Sequence, residues 1–163
     1  MRILLLIDRY LPNPLSSAKM FQDLATEMSS LGNDVTVVTG DDSIRTKIEV
    51  SREGDITIVR VRSGKFRHPS RFVRTVDEIC LSRWIWNSAQ SFFKSHSYDL
   101  VVCYSPTIFW SGLLKKIKEI NDCSSYLVLR DLFPQWALDT GLLSRYGLIY
   151  WYLDFKKSGF INR

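Results

Sequence analysis

Residues 3–40 read ILLLIDRYLPNPLSSAKMFQDLATEMSSLGNDVTVVTG, and their pattern decides the fold class. Ile3–Ile7 is an unbroken apolar run, as in a strand of a parallel sheet buried on both faces. Asp8–Ser17 carries two prolines and reads as a loop. Ser16 or Ser17 is placed to cap the helix that follows. Met20, Phe21, Leu24, Met28 and Leu31 recur at helical spacing and predict one buried stripe. Gly32 stands where a left-handed C-terminal cap belongs. Val35-Thr36-Val37-Val38 then reads as a second strand, ended by Gly40. Strand, helix and strand in this length make a βαβ unit with a right-handed crossover.

Downstream, the same alternation continues. Residues 41–55 are polar, with Arg45–Val50 alternating as a short edge strand. Ile56–Val61 reads as a strand, and Arg62–Pro69 as a basic loop. A long helix is predicted over Arg71–Lys94, with Val73, Val76, Cys80, Ile85, Ala89, Phe92 and Phe93 near one face. Leu100–Tyr104 is a buried strand, and Phe109–Ile120 a helix with Phe109, Leu113, Ile117 and Ile120 inward. Ser125–Leu129 is the next strand, and Leu143–Phe160 a final amphipathic helix. Strands alternating with helices predict an α/β, Rossmann-like, open doubly wound sheet that is mainly parallel. Ligands of such sheets bind beyond the carboxyl ends of the strands. Three segments therefore matter most: Asp8–Ser17, Tyr104–Thr107 and Arg130–Trp136.

Composition bounds the answer. The chain has 163 residues, 45% of them hydrophobic and 24% charged, with 8 glycines and 5 prolines. That is enough for one domain with a real core, and it excludes a disordered or collagen-like chain. Three cysteines, Cys80, Cys103 and Cys123, lie in apolar stretches and read as reduced thiols of a cytosolic protein. No apolar run reaches transmembrane length, and the opening run stops at Asp8 without a signal-peptide cleavage site. The net charge is +5, yet residues 60–94 alone hold eight basic and two acidic residues and carry +6. Phe66, Phe72, Trp84, Trp86, Phe92 and Phe93 are interleaved with that charge. Such a helix suits an anionic membrane surface or a lipid-linked phosphate, with Arg67, Arg71, Arg74, Trp84, Trp86 and, further on, Trp151 as contacts. It is equally a solvated face over packed aromatics.

The loop after the first strand has no glycine, so it is neither a dinucleotide fingerprint nor a Walker A loop. A phosphate can still be held at the helix start by the N–H groups of Ser17, Ala18 and Lys19, with side chains of Ser16, Ser17 and Lys19. An ordinary cap and a solvated lysine read the same residues as well. Arg130-Asp131 follows a buried strand. Asp131 can accept a hydroxyl proton and Arg130 can grip a phosphate or carboxylate; a helix cap with a local ion pair fits equally. Trp136 and Trp151 suit sugar stacking, a membrane interface or plain packing. His68 and His96 stand in loops without metal-ligand spacing, and no nucleophile elbow, metal site or cofactor motif is present in the sequence.

Five stretches together resemble a known family. They are Met1–Leu5, the Tyr10-Leu11-Pro12 loop, Leu31–Thr39, Tyr104-Ser105-Pro106, and above all Arg130–Leu143 (RDLFPQWALDTGLL). They are similar to the N-terminal half of retaining GT-B glycosyltransferases of family 4, in the subgroup that builds bacterial O-antigen, capsule and colanic acid, such as the fucosamine transferases. The resemblance implies that residues 1–163 form the acceptor-binding Rossmann-like domain, slightly incomplete at its C-terminus. The donor-binding domain would be absent, and this domain alone would be inactive. It implies Asp131 and Arg130 at the catalytic centre and Ser16, Ser17, Lys19, Tyr104, Ser105 and Trp136 at the substrates. It implies a nucleotide-sugar donor, held mostly by the second domain, and a lipid-linked acceptor. No cofactor, metal or nucleic acid is expected. The place would be the cytoplasm, at the inner face of the cell membrane. Two features depart from many members: Asn13–Ser17 where glycines are common, and Arg130 where histidine is common. Two other classes remain open on the residues themselves, a non-enzymatic α/β binding module and a basic nucleic-acid binder.

Overall fold

The computed structural model describes residues 1–63, 71–104, 110–129 and 151, with backbone only over 71–79. Among the described residues nine elements follow one another: β1 (Arg2–Ile7), α1 (Ser16–Ser30), β2 (Asp34–Asp41), β3 (Ile48–Glu53), β4 (Ile56–Arg62), α2 (Arg71–Ser95), β5 (Leu100–Tyr104), α3 (Ser111–Asn121) and β6 (Ser124–Val128). The sheet order is β3-β4-β2-β1-β5-β6. Every neighbouring pair is parallel except β3 with β4. The predicted doubly wound, mainly parallel sheet is therefore present.

The apolar run in β1 sits at the centre because both its faces are covered. Leu4 and Leu6 pack with Val38, Val59 and Cys103 against α2 and α3. Ile3, Leu5 and Ile7 pack with Val37, Ile58 and Val102 against Phe21 and Ala25 of α1. Each such side chain removed from water contributes about 1.5–3 kcal/mol, so β1 anchors both layers. On α2 the buried row is Leu81, Ile85, Ala89 and Phe93, a helical spacing.

Several local expectations need correction. Leu15, not a serine, occupies the N-cap of α1, and it makes no side-chain cap bond. Met20 and Leu31, expected in the buried stripe, are 40% and 72% exposed; Phe21 and Ala25 make the contact with the sheet instead. Ile120 is 41% exposed, whereas Leu114 is buried. The edge strand starts later than expected, at Ile48. Its register is set by a two-residue hairpin loop, Gly54-Asp55, between the paired Glu53 and Ile56. Gly54 has φ +60, the conformation the first loop residue of a type II′ turn requires. The expected cap at Gly32 is present in full. Gly32 has φ +79; its N–H donates to Ser29 O and that of Asn33 to Met28 O, the paired bonds of a Schellman motif. Phe109, Val73, Val76 and the predicted Leu143–Phe160 helix, apart from a helical Trp151, lie outside the described residues or side chains.

Candidate functional site at the carboxyl edge of the sheet

Strand order reverses beside β1. The chain runs from β1 outward through β2 to β4, then returns through α2 to β5 on the other side of β1. A crevice between such loops at the carboxyl ends is where this sheet class holds ligands. An open cleft of about 180 Å³ lies at this edge, lined by Arg9, Tyr10, Pro12 and Asn13 after β1, by residues 39–43 at the end of β2, and by Arg60 of β4.

Arg60 organises this cleft. Strand alternation puts it on the face of Ile56 and Ile58, where an apolar residue would extend the α1-side core. Its guanidinium reaches four residues on three segments instead. One nitrogen donates to Ser51 Oγ at 2.9 Å, another to the Leu11 carbonyl at 3.0 Å. Asp41 and Glu53 carboxylates stand 3.7 and 3.5 Å away. The side chain is 13% exposed, so these partners hold a nearly buried cation. The bond to Leu11 ties the loop after β1 to the β3–β4 hairpin. That loop is further fixed by Asn13 N–H donating to Tyr10 O at 3.1 Å and Asn13 Oδ1 accepting from Leu15 N–H.

Asp41 also shapes the turn after β2: its Oδ1 accepts from Ser43 N–H at 2.8 Å and from Ser43 Oγ at 2.6 Å. Tyr10 is 4% exposed and packs in the α1-side core, yet its hydroxyl finds no hydrogen-bond partner among the described residues. Burial, then the nearby Glu53 carboxylate, pushes its phenol up to about 12. It is a neutral hydroxyl at physiological pH.

The residues expected at substrate fall in different settings. Ser16 is exposed and Ser17 buried in the first turn of α1. Of the three amides expected to grip a phosphate, those of Ala18 and Lys19 donate to the Leu15 carbonyl. Lys19 points along the helix surface, 2.8 Å from Asp23 and bonded to Gln22. Tyr104 is buried, its ring edge-on to Phe21 at 5.2 Å, while its carbonyl accepts from Trp110 Nε1. Ser105, Arg130, Asp131, Trp136 and Arg67 lie outside the described residues, and Arg71 and Arg74 are described as α2 backbone only.

The basic helix is partly a packed surface. Trp84 and Trp86 are half-buried. Trp86 stacks on Phe93 at 6.2 Å, and Lys116 Nζ of α3 lies 4.8 Å above its ring. Arg83 and Lys94 are exposed, and Trp151 is 66% exposed. His96 is occupied locally, stacked on Phe92. Burial raises the Cys103 and Cys123 thiols, which keeps both neutral core groups. Among the described residues no helix is long and apolar enough to cross a membrane.

Sequence reasoning missed Arg60, Asp41, Asp42, Tyr10 and Asn13 as a set. The available signal was Arg60 itself, a cation standing in the apolar register of Ile56 and Ile58.

No protein-family model matches the sequence, and no curated protein sequence does. Solved structures do share its architecture. Sucrose-phosphate synthase from Thermosynechococcus elongatus superposes with a TM-score of 0.63 at 9% identity, over 89% of this chain and 36% of that one. An α,α-trehalose-phosphate synthase (UDP-forming) from Burkholderia xenovorans, in complex with glucose-6-phosphate, gives 0.62 at 12% identity over 97% and 38%. The C-terminal domain of a hydrogenase from Pyrococcus furiosus gives 0.50 at 18% identity over 78% and 91%. The chain thus spans little more than a third of the two synthases it matches. At these identities the likeness is one of fold: a Rossmann-like domain with a mostly parallel sheet, consistent with one half of a GT-B fold.

Proposed function

We propose that this chain is the acceptor-side domain of a retaining glycosyltransferase. In this reading the whole enzyme moves a sugar from a nucleotide sugar to a lipid-linked saccharide in bacterial surface polysaccharide synthesis. The observation that carries it is the cleft at the carboxyl edge, beside the reversal of strand order, in a fold shared with sugar-phosphate synthases. The sequence Arg130–Leu143 supports the finer family reading, and with it Asp131 beside the acceptor hydroxyl and Arg130 as its charge partner. The exposed Arg83, Lys94 and Trp151 support a peripheral place on an anionic inner leaflet. Charge developing on the departing diphosphate would be met by hydrogen-bond donors, largely those of a second domain.

A polyprenyl diphosphate-linked sugar titrated against the 163-residue chain tests this. Saturable binding is expected, weakened roughly tenfold or more by Asp131→Asn, the scale of a lost charged hydrogen bond. Absence of binding, or equal binding by the variant, would refute the reading and favour a non-enzymatic α/β module.

A further inference from the structure

We propose that Arg60 is a positioning residue: its guanidinium holds the loop after β1 at the rim of the cleft, and the charged network around it serves that placement, not the stability of the fold. That a ligand meets this loop rests on the acceptor-side reading; the hold on the loop does not. Arg60 stands in the strand row of Ile56 and Ile58, which pack in the α1-side core. An apolar side chain there would extend that core and desolvate no charge. Replacing a buried ion network by apolar residues of like volume is often neutral or stabilising, so stability alone does not call for an arginine at this place.

The guanidinium is aimed at the loop and the hairpin more closely than at its carboxylates. Its short bonds go to neutral acceptors: Nη1 donates to Ser51 Oγ at 2.9 Å, and Nη2 to the Leu11 carbonyl at 3.0 Å. The carboxylates stand further off, Asp41 Oδ2 at 3.7 Å from Nε and Glu53 Oε1 at 3.5 Å from Nη2. A pair built for strength brings charged nitrogen and oxygen to about 2.7–2.9 Å, as Arg2 and Asp99 do at 2.7 Å in this chain. Around Arg60 the two carboxylates offset the charge, while the directional bonds hold backbone and hairpin.

The loop thereby gains a fixed reference. Tyr10 anchors its start in the α1-side core. Beyond Tyr10, the bond from Asn13 N–H to Tyr10 O and that from Leu15 N–H to Asn13 Oδ1 are local, spanning three and two positions. They fold the loop upon itself. The bond from Arg60 instead joins positions 49 apart, and Ser51 of β3 holds the other side of the same guanidinium. An arginine suits this task because its planar fork sends fixed donors in several directions at once, which a single ammonium cannot do.

The test is amide hydrogen exchange and thermal melting of the 163-residue chain in two variants. Removing Arg60 alone would leave two carboxylates unpaired, so the first variant neutralises the network: Arg60→Leu with Asp41→Asn and Glu53→Gln. Asp41→Asn keeps an Oδ1 acceptor for Ser43. This variant should melt no lower than wild type. Protection of the Asn13 and Leu15 amides should nevertheless fall roughly tenfold or more, the scale of a lost hydrogen bond from a charged donor, with the β1 and β2 amides unchanged. The second variant, Arg60→Lys, keeps the charge but not the fork, and should lose the same loop protection. Affinity for the polyprenyl diphosphate-linked sugar should fall roughly tenfold in both. The proposal is overturned if the neutral variant melts well below wild type, if the loop amides keep their protection, or if the released loop binds the sugar as wild type does. A wild-type chain that binds no lipid-linked sugar refutes the acceptor-side reading instead, and the melts and the exchange still decide the role of Arg60.

Discussion

At the scale of single residues, charged groups do two different jobs. Arg60 is nearly buried and multiply bonded, and it fixes the geometry of the cleft. Arg2 and Asp99 work at the opposite pole of the sheet. Asp99 Oδ1 accepts from the Arg2 guanidinium at 2.7 Å, and Oδ2 accepts from the Arg2 backbone N–H at 2.7 Å. The Asp99 N–H returns a bond to the Arg2 carbonyl at 2.9 Å. The Arg2 side chain, then its backbone N–H, holds the Asp99 carboxyl down at about 2. A depressed carboxyl contributes stability above its unfolded value and loses it as pH falls through the folded one. The melting temperature should therefore fall between about pH 3.8 and pH 2, and Asp99→Asn should melt lower at neutral pH with a shallower drop across that window. Thermal melts of both proteins from neutral pH downward check this; parallel curves would contradict it.

At the scale of elements, two glycines separate backbone conformation from packing. A Cβ added at Gly32 or at Gly112 would touch nothing within 4 Å. Gly32 sits at φ +79 in the α1 cap, whereas Gly112 lies in the first turn of α3. Gly32→Ala should therefore destabilise by about 1 kcal/mol, and Gly112→Ala should stabilise by about 0.5–1 kcal/mol. Urea midpoints shifting in opposite directions at unchanged slope are the expected result; shifts of one sign would contradict it. The same scale shows what the sequence made legible. Ile3–Ile7 and Leu100–Val101-Val102-Cys103-Tyr104 read correctly because two-sided burial demands unbroken apolar runs. Gly32 read correctly because only the αL cap explains a glycine there. Met20, Leu31 and Ile120 did not, since periodicity marks every apolar residue near a stripe but not how narrow the contact with the sheet is. Arg45–Val50 slipped against the observed Ile48–Glu53 because an edge strand with polar residues on both faces does not fix its own register.

At the scale of the whole molecule, fold and site were legible to different degrees. The alternation of strands and helices pointed to the doubly wound sheet, and the sheet pointed to its carboxyl edge. The residues that make the cleft come from three separate segments, and strand pairing alone brings them together: Thr39 sits opposite Arg60 and Asp41 opposite Arg62 in the β2–β4 ladder. No local motif announces that meeting. The excess charge of residues 60–94 is likewise divided by the fold. Arg60 is consumed inside the cleft, Trp86 is packed beneath Lys116, and Arg83 and Lys94 face solvent. The proposed function puts ligand recognition at the carboxyl edge. Its most direct test is a chemical-shift map of the chain saturated with a polyprenyl diphosphate-linked sugar. Shifts among the described residues should gather at 8–13, 39–43 and 60, with Arg2, Asn33 and Asp99 at the other pole unmoved. Shifts centred on that opposite pole, or saturation without any change at the carboxyl edge, would contradict it.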